Sequence, residues 1–321
     1  MLWKLYPQIS ADLKTQLLSN RQLKDQVAID RFFNPKIEDY KQDFDLANSD
    51  VAIKRIQEAI DTKETIIIYG DYDVDGLTAS SIAYKSLTSL GAVAWPFIPH
   101  RERDGYGLSK SGLDAIRVAK PEAKLILTVD NGIVAVEQIE YAREIGFEVI
   151  VTDHHLPHEK LPNALAIVHS TQMCGAGVIW CLMRKMVSPE LSQQLLELVA
   201  IGTIADQISL IGTSRPLVIE GLKQLNKTTS PGLKALIKSC KVELGNISSY
   251  EIGHILAPKL NAVGRLDTAL PALKLLCTEN VNKAWDYAQD LMVANTNRQE
   301  ITTQAVSDAG QQIDPEGKVH V

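Results

Sequence analysis

Ile66-Ile-Ile-Tyr-Gly-Asp-Tyr-Asp-Val-Asp-Gly76 is a β-branched run that ends in three carboxylates at alternate positions, Asp71, Asp73 and Asp75. The run reads as a buried strand, and the residues after Gly76 are compatible with a helix. Carboxylates crowded at a strand's end repel one another, so a chain that carries them neutralises them with cations or shared protons. Three further segments are built in the same way. Leu125-Ile-Leu-Thr-Val-Asp-Asn-Gly132 is a buried-type strand ending in Asp130. Val149-Ile-Val-Thr-Asp-His-His155 ends in an acid and two imidazoles, and the apolar Leu198-Val-Ala-Ile-Gly-Thr-Ile-Ala-Asp206 delivers one more carboxylate.

In an open parallel sheet the carboxyl ends of the strands share one edge, so ligands distant in sequence converge there. Oxygen donors with one or two imidazoles favour Mn²⁺ or Mg²⁺ over thiolate-loving metals, without choosing between the two. A pair of such ions, about 3.5 to 4 Å apart, deprotonates a water and clamps a phosphoryl group. An EF-hand loop shares the opening Asp71-x-Asp73-x-Asp75-Gly76, but its twelfth position requires Glu and here is Ile82. Solvated turn acids are the plainer alternative, since Asp and Gly are ordinary turn residues.

The chain has 321 residues, 45% of them hydrophobic, enough for a large core in one or two domains. A formal charge of −6 gives no overall basic footprint for nucleic acid, although bound cations would invert the sign locally. Cys174, Cys181, Cys240 and Cys277 lack C-x-x-C spacing and are expected as buried free thiols. Met1-Leu-Trp-Lys-Leu-Tyr-Pro7 has no apolar signal core, and no window is apolar enough to span a membrane, so a cytoplasmic protein is expected.

The expected fold is α/β: a parallel sheet with helices on both faces, then a helical region and a long connecting helix. Strands near 65, 93, 125, 148 and 164 alternate with helices near 77–90, 109–119 and 133–145. Helices follow near 176–187, 191–203, 213–225, 231–239 and 249–256. The expected division is a helical lead-in over 1–62, an α/β domain over 63–212, a helical extension over 213–280 and a connecting helix over 281–310. Ala284, Tyr287, Leu291, Ala294, Ile301 and Ala305 form that helix's apolar stripe, with Asn295, Asn297, Arg298 and Gln299 elsewhere. Residues 311–321 read as the start of a further domain.

Asp73-Val-Asp75-Gly76, Val129-Asp130 and Asp153-His154-His155 resemble the DHH phosphoesterase superfamily, and within it the RecJ family of single-strand-specific 5′ to 3′ exonucleases. Arg103-Asp-Gly-Tyr-Gly-Leu-Ser109, Gly175-Ala-Gly-Val178, Ala205-Asp206 and Ala257-Pro-Lys-Leu-Asn-Ala-Val-Gly-Arg-Leu266 extend the resemblance, as does Phe32-Phe-Asn-Pro35 in the lead-in. It implies that Asp73 and Asp130 hold one metal ion, Mn²⁺ or Mg²⁺, while Asp75, Asp130, His154 and Asp206 hold a second. It implies further that His155 contacts the scissile phosphate, that Asp71 sits beside the metals or behind their ligands, and that Asp153 stands behind the ligands. The implied substrate is single-stranded DNA, with RNA left open; the implied partners are a helicase or a single-strand-binding protein, and the implied state is a monomer without membrane attachment. The family's function is phosphodiester hydrolysis in DNA repair and recombination.

Two positions depart from the pattern. Tyr69 stands where some members carry a metal-binding His, and His169-Ser170 where RecJ sequences often have Asn-Pro. A strand-end His169 with a local hydrogen bond is expected. The resemblance also implies a glycine-rich DHHA1 domain, and in many members an OB-fold, after the connecting helix; the chain is expected to stop short of them. Phosphate contacts would then fall to Arg103, Lys259, Asn261 and Arg265, with Tyr106 stacking on a base. Cys174-Gly-Ala-Gly-Val178 opens a helix that either offers N–H groups to a phosphate or packs closely on a neighbour. Two rival functions are a phosphodiesterase for short oligonucleotides or cyclic dinucleotides and an inactive DNA-binding scaffold; the scaffold predicts eroded ligands, which this chain retains.

Overall fold

Alternating strand and helix patterns require a parallel sheet, because each strand must return to the same edge before the next begins. The computed structural model describes residues 5–266 and 268–312, the side chains of Arg265, Leu266 and Gln312 excepted. A lead-in of α1 (Leu13–Asn20), α2 (Gln26–Phe33), a 3₁₀ turn (Ile37–Tyr40) and α3 (Ser49–Asp61) precedes the sheet. Then β1 (Thr65–Tyr69), α4 (Val74–Ser89), β2 (Val93–Phe97), α5 (Lys110–Ala119), β3 (Leu125–Val129), α6 (Val136–Glu144), β4 (Glu148–Asp153) and β5 (Ala166–His169) follow. All neighbours are parallel, in the order β2-β1-β3-β4-β5. The chain reverses its direction of travel across the sheet between β1 and β3, and at such a switch point the loops after the two strands part and leave a crevice.

Both faces of the sheet are covered, which explains its uninterrupted apolar strands. Ile66 and Ile68 of β1 face one core with Leu125, Leu127 and Val129, packed under α3 and α4. Ile67 and Tyr69 face the other with Ile126, Val149 and Val151, under α5 and α6. The first core continues into α7 (Gly175–Met183), α8 (Pro189–Ala205), α9 (Ser214–Leu225) and α10 (Pro231–Ser239). Beyond them a π-helical turn (Glu251–Leu256) runs into α11 (Ala257–Leu266), followed by α12 (Leu270–Cys277) and α13 (Val281–Gln312). Both α11 and α12 fall within the expected helical extension, although the apolar spacing marks neither as a separate helix. The short polar gaps around Asn261 and Thr268 break the apolar spacing there, and packing against α13 supplies what propensity does not.

The long helix departs from its expected stripe. Ala284, Ala288 and Leu291 are buried, but so is Asn295, whereas Ile301 and Ala305 are exposed. At 1.5 Å per residue the 32-residue helix is about 48 Å long and runs past the elements it packs on. The cysteines are free thiols, Cys174 and Cys181 buried, Cys240 and Cys277 half-buried. No helix among the described residues is long and apolar enough to cross a membrane. Residues 313–321, expected to open a further domain, lie outside the described residues.

α8, which carries Asp206, is held by a close approach of α9. A Cβ on Gly221 would lie 2.2 Å from the Leu196 carbonyl oxygen and 2.6 Å from the Ala200 Cβ. Gly221→Ala is therefore expected to lower the unfolding free energy by about 1 to 3 kcal/mol. Urea unfolding would read this, and an unchanged midpoint would contradict the packing described.

Candidate metal centre

The acids of the first motif are not solvated turn residues: Asp71 is fully buried and Asp75 is 2% exposed. The backbone makes their burial tolerable. Tyr72 N–H donates to Asp71 Oδ1 at 2.7 Å. Asp73 is the N-cap of α4, accepting from Gly76 N–H at 2.9 Å, and Asp75 lies in the first turn, where the helix dipole favours negative charge. Gly76 must lack a side chain, since a Cβ would come within 2.6 Å of the Asp71 Cβ.

A second helix start also points here. At the beginning of α7, Gly175 N–H donates to Asp75 Oδ2 at 2.6 Å and Ala176 N–H to Oδ1 at 2.9 Å. This corrects the phosphate reading of the Cys174–Val178 segment: its N–H groups hold a carboxylate of the same chain. Gly175 serves a steric purpose too, since a Cβ there would lie 2.5 Å from Asp130 Oδ1.

Asp130, at the end of β3, adopts φ 63°, a left-handed conformation that Asp tolerates better than most residues. The Asn131 amide ties this tip to the first strand, donating to the Tyr69 carbonyl at 3.2 Å and to that of Val129 at 3.0 Å. After β4, His154 Nε2 lies 3.1 Å from Asp130 Oδ1 and 3.7 Å from both Asp75 Oδ2 and Asp206 Oδ2. Asp206 comes from the C-cap of α8, with a side chain 32% exposed. One turn earlier, a Cβ on Gly202 would lie 2.6 Å from Asp75 Oδ1.

Asp153 organises the histidine side. It accepts from Ile133 N–H at 2.9 Å and His154 N–H at 2.7 Å, and pairs with His155 Nδ1 at 2.7 Å. The far nitrogen of His155 is 2.9 Å from the Tyr106 hydroxyl, and the carbonyl of His155 is 2.7 Å from His169 Nε2. Tyr69 is turned to the opposite face of the sheet, where its hydroxyl donates to the Gly107 carbonyl at 3.1 Å and anchors the glycine loop.

Charge is badly balanced in this cluster. Burial, then Asp73, pushes Asp71 up to about 7, and burial, then Asp75 and Asp73, does the same to Asp206. Asp73 and Asp130 are raised by the same two causes, burial and neighbouring carboxylates. Burial lowers His154 despite the acids around it. His155 is raised, chiefly by its bond to Asp153. Burial would raise Asp153, but the His155 ring and the backbone N–H donors outweigh it, so the carboxyl lies below its usual range. Asp71 Oδ2 and Asp130 Oδ1 are buried with no hydrogen bond, a costly state that a cation would relieve.

Three donor groups could each hold a metal ion: Asp71, Asp73 and Asp130; Asp75, His154 and Asp206; and Asp130, His154 and His155. In each, the donor atoms lie within 4.8 Å of one another. Of the two places expected for Asp71, the geometry favours the one beside the metals. The residues expected to contact substrate are more dispersed. Arg103 is exposed and pairs with Asp104 at 2.9 Å. Tyr106 is on the glycine loop against His155, with Gly105 and Gly107 at positive φ. Lys259 and Asn261 are half-buried on α11 and make no side-chain hydrogen bond or ion pair among the described residues. The Arg265 side chain lies outside the described residues. Sequence reasoning missed Asn131 and Gly202; adjacency to Asp130 was the available signal for the first, and for the second there was none.

The DHH family N-terminal domain model matches residues 65–203, which include every donor named above except Asp206. The single-stranded-DNA-specific exonuclease RecJ of Bacillus subtilis (strain 168) is 37% identical over 295 residues, covering 89% of this chain and 37% of that protein. The protein of the same name from Escherichia coli (strain K12) is 34% identical over 282 residues, covering 80% and 48%. The chain therefore spans half or less of the length of these curated relatives. A solved structure of exonuclease RecJ bound to manganese superposes with a TM-score of 0.76 at 34% identity, covering 85% of this chain and 72% of that one. The chain belongs to the RecJ family of DHH proteins.

Proposed function

We propose that this chain carries the catalytic centre of a metal-dependent exonuclease that removes nucleotides from the 5′ end of single-stranded DNA. The carrying observation is the convergence of Asp71, Asp73, Asp75, Asp130, His154 and Asp206 on one sheet edge with buried carboxylate oxygens left unbonded. The names of the relatives, and the manganese in one of them, support the same reading. Asp73, Asp75, Asp130, His154 and Asp206 are the proposed ligands of two Mn²⁺ or Mg²⁺ ions, with Asp130 shared and Asp71 beside it. Bound there, such ions activate water and neutralise charge developing on a phosphoryl group.

The chain's own residues do the rest. Asp153 fixes the His155 ring through Nδ1, so Nε2 is the nitrogen left to donate to a phosphoryl oxygen. The Tyr106 hydroxyl occupies that nitrogen and must yield to substrate, which leaves its ring beside the site to stack on a base. Arg103, Lys259, Asn261 and Arg265 are the proposed backbone contacts, and none of them reads sequence. Phosphodiester hydrolysis of this kind serves DNA repair and recombination in the cytoplasm.

The test is release of mononucleotides from 5′-labelled single-stranded DNA with Mn²⁺, alongside duplex and cyclic-dinucleotide substrates. Asp75→Ala is expected to lose at least about 100-fold, more than removal of an outer group costs. Equal activity in the variant, or cleavage confined to the cyclic dinucleotide, would overturn the proposal. For His155, whose pKa is raised mainly by Asp153, Asp153→Asn is expected to move the ring's titration midpoint to lower pH. NMR of the ring nitrogens reads this directly, and an unmoved midpoint would contradict the assigned pairing.

A further inference from the structure

A sizeable cavity lies away from the metal centre. About 740 Å³ in volume, it opens at the other end of the α4–α8 pair, between those helices and the loop joining α9 to α10. Its size is in the range of small-molecule sites, roughly 300 to 1,000 Å³. Lys85, in its lining, stands on the same helix as Asp75, about 15 Å further along.

The lining divides into two chemistries. Gln224 is 9% exposed, yet its side-chain amide bonds to nothing among the described residues. That amide offers the cavity one donor group and one acceptor. Glu197 shares the cavity, and burial pushes its carboxyl up to about 7, against a hydrogen bond from Thr228 and the charge of Lys85. Tyr84, Leu195 and Leu198 supply aromatic and apolar surface. The exposed part of the lining is different: Lys227 and Thr229 present an ammonium and a hydroxyl. Lys85 is already paired with Glu279 at 3.0 Å, whereas Lys227 has no ion pair among the described residues.

An amide and a carboxyl beside an aromatic ring suit the edge and face of a nucleobase. An unpaired ammonium with a hydroxyl suits a phosphate. We infer that this cavity is a second binding site, taking a nucleoside 5′-monophosphate with its base toward Gln224 and Glu197 and its phosphate toward Lys227. Nothing in the site requires chemistry at the metal centre. A ligand there bears on α4 and α8 together, the two helices that carry Asp75 and Asp206.

The experiment is calorimetric titration of the full 321-residue chain, stripped of metal with EDTA, with dAMP, dGMP, dCMP and dTMP in turn. Inorganic phosphate and the four deoxynucleosides are the part-ligand controls. At least one nucleotide is expected to bind at one site per chain, more tightly than either of its parts. Gln224→Leu and the surface variant Lys227→Ala should each weaken it by about tenfold or more, with Asp206→Asn leaving it within about twofold. Circular dichroism melts would show that the variants are folded. No saturable binding of any nucleotide, phosphate binding as tightly as the nucleotide, binding that survives both cavity variants, or binding lost in Asp206→Asn would overturn the assignment. Because the metal is removed, failure of the nuclease reading leaves these outcomes untouched.

Discussion

The Asp75 carboxylate, held by the N–H groups of Gly175 and Ala176, is the contact on which the rest of the centre depends. A buried anion is tolerated only when donors replace its lost water, and two backbone N–H groups at a helix start do this without adding a side chain to the site. The same bond joins the β1–α4 unit to α7, and so fixes the helical half of the molecule against the sheet. Glycine is required where the two halves meet, at Gly175 under Asp130 and Gly202 under Asp75, and within the β1–α4 unit at Gly76 under Asp71; each leaves room that a methyl group would fill.

With Asp75 settled, the remaining acids are not. Asp71, Asp73, Asp130 and Asp206 are all held above their ordinary range by burial and by one another. This is stored instability, and cations are its natural remedy. The histidine side is built on the opposite principle. Asp153 is well supplied with donors and holds His155 in one orientation, so the ring is prepared for an anion while the acids are prepared for metal. A site with both polarities side by side suits a phosphodiester, which needs cations at its oxygens and an oriented donor beside them.

Much of this was legible in the sequence because it follows strand grammar. Ile66–Ile68, Leu125–Leu127 and Val149–Val151 are continuous apolar runs, as expected of strands buried on both faces, and each leads to a polar tip on the shared edge. Other features arise from tertiary packing and leave a weaker trace. Asp206 reaches the same edge from the C-terminal end of a helix, where the dipole disfavours it; the apolar run before it marks the carboxylate, but nothing local places it beside Asp75 and His154. The Gly175-Ala-Gly177 segment was visible, but nothing local says that its N–H groups would meet a carboxylate a hundred residues away in the chain. α11 and α12 depend on α13 for their apolar partners, and the polar Asn295 is buried on α13 where periodicity placed it outside.

The proposed metal centre turns on one carboxylate, Asp130, which would be shared by two cations. Anomalous diffraction from crystals of the chain grown with Mn²⁺ tests it most directly. Two manganese peaks about 3.5 to 4 Å apart are expected, both in contact with Asp130, one reaching Asp73 and the other Asp75, His154 and Asp206. A single peak, or two peaks that do not share Asp130, would contradict it.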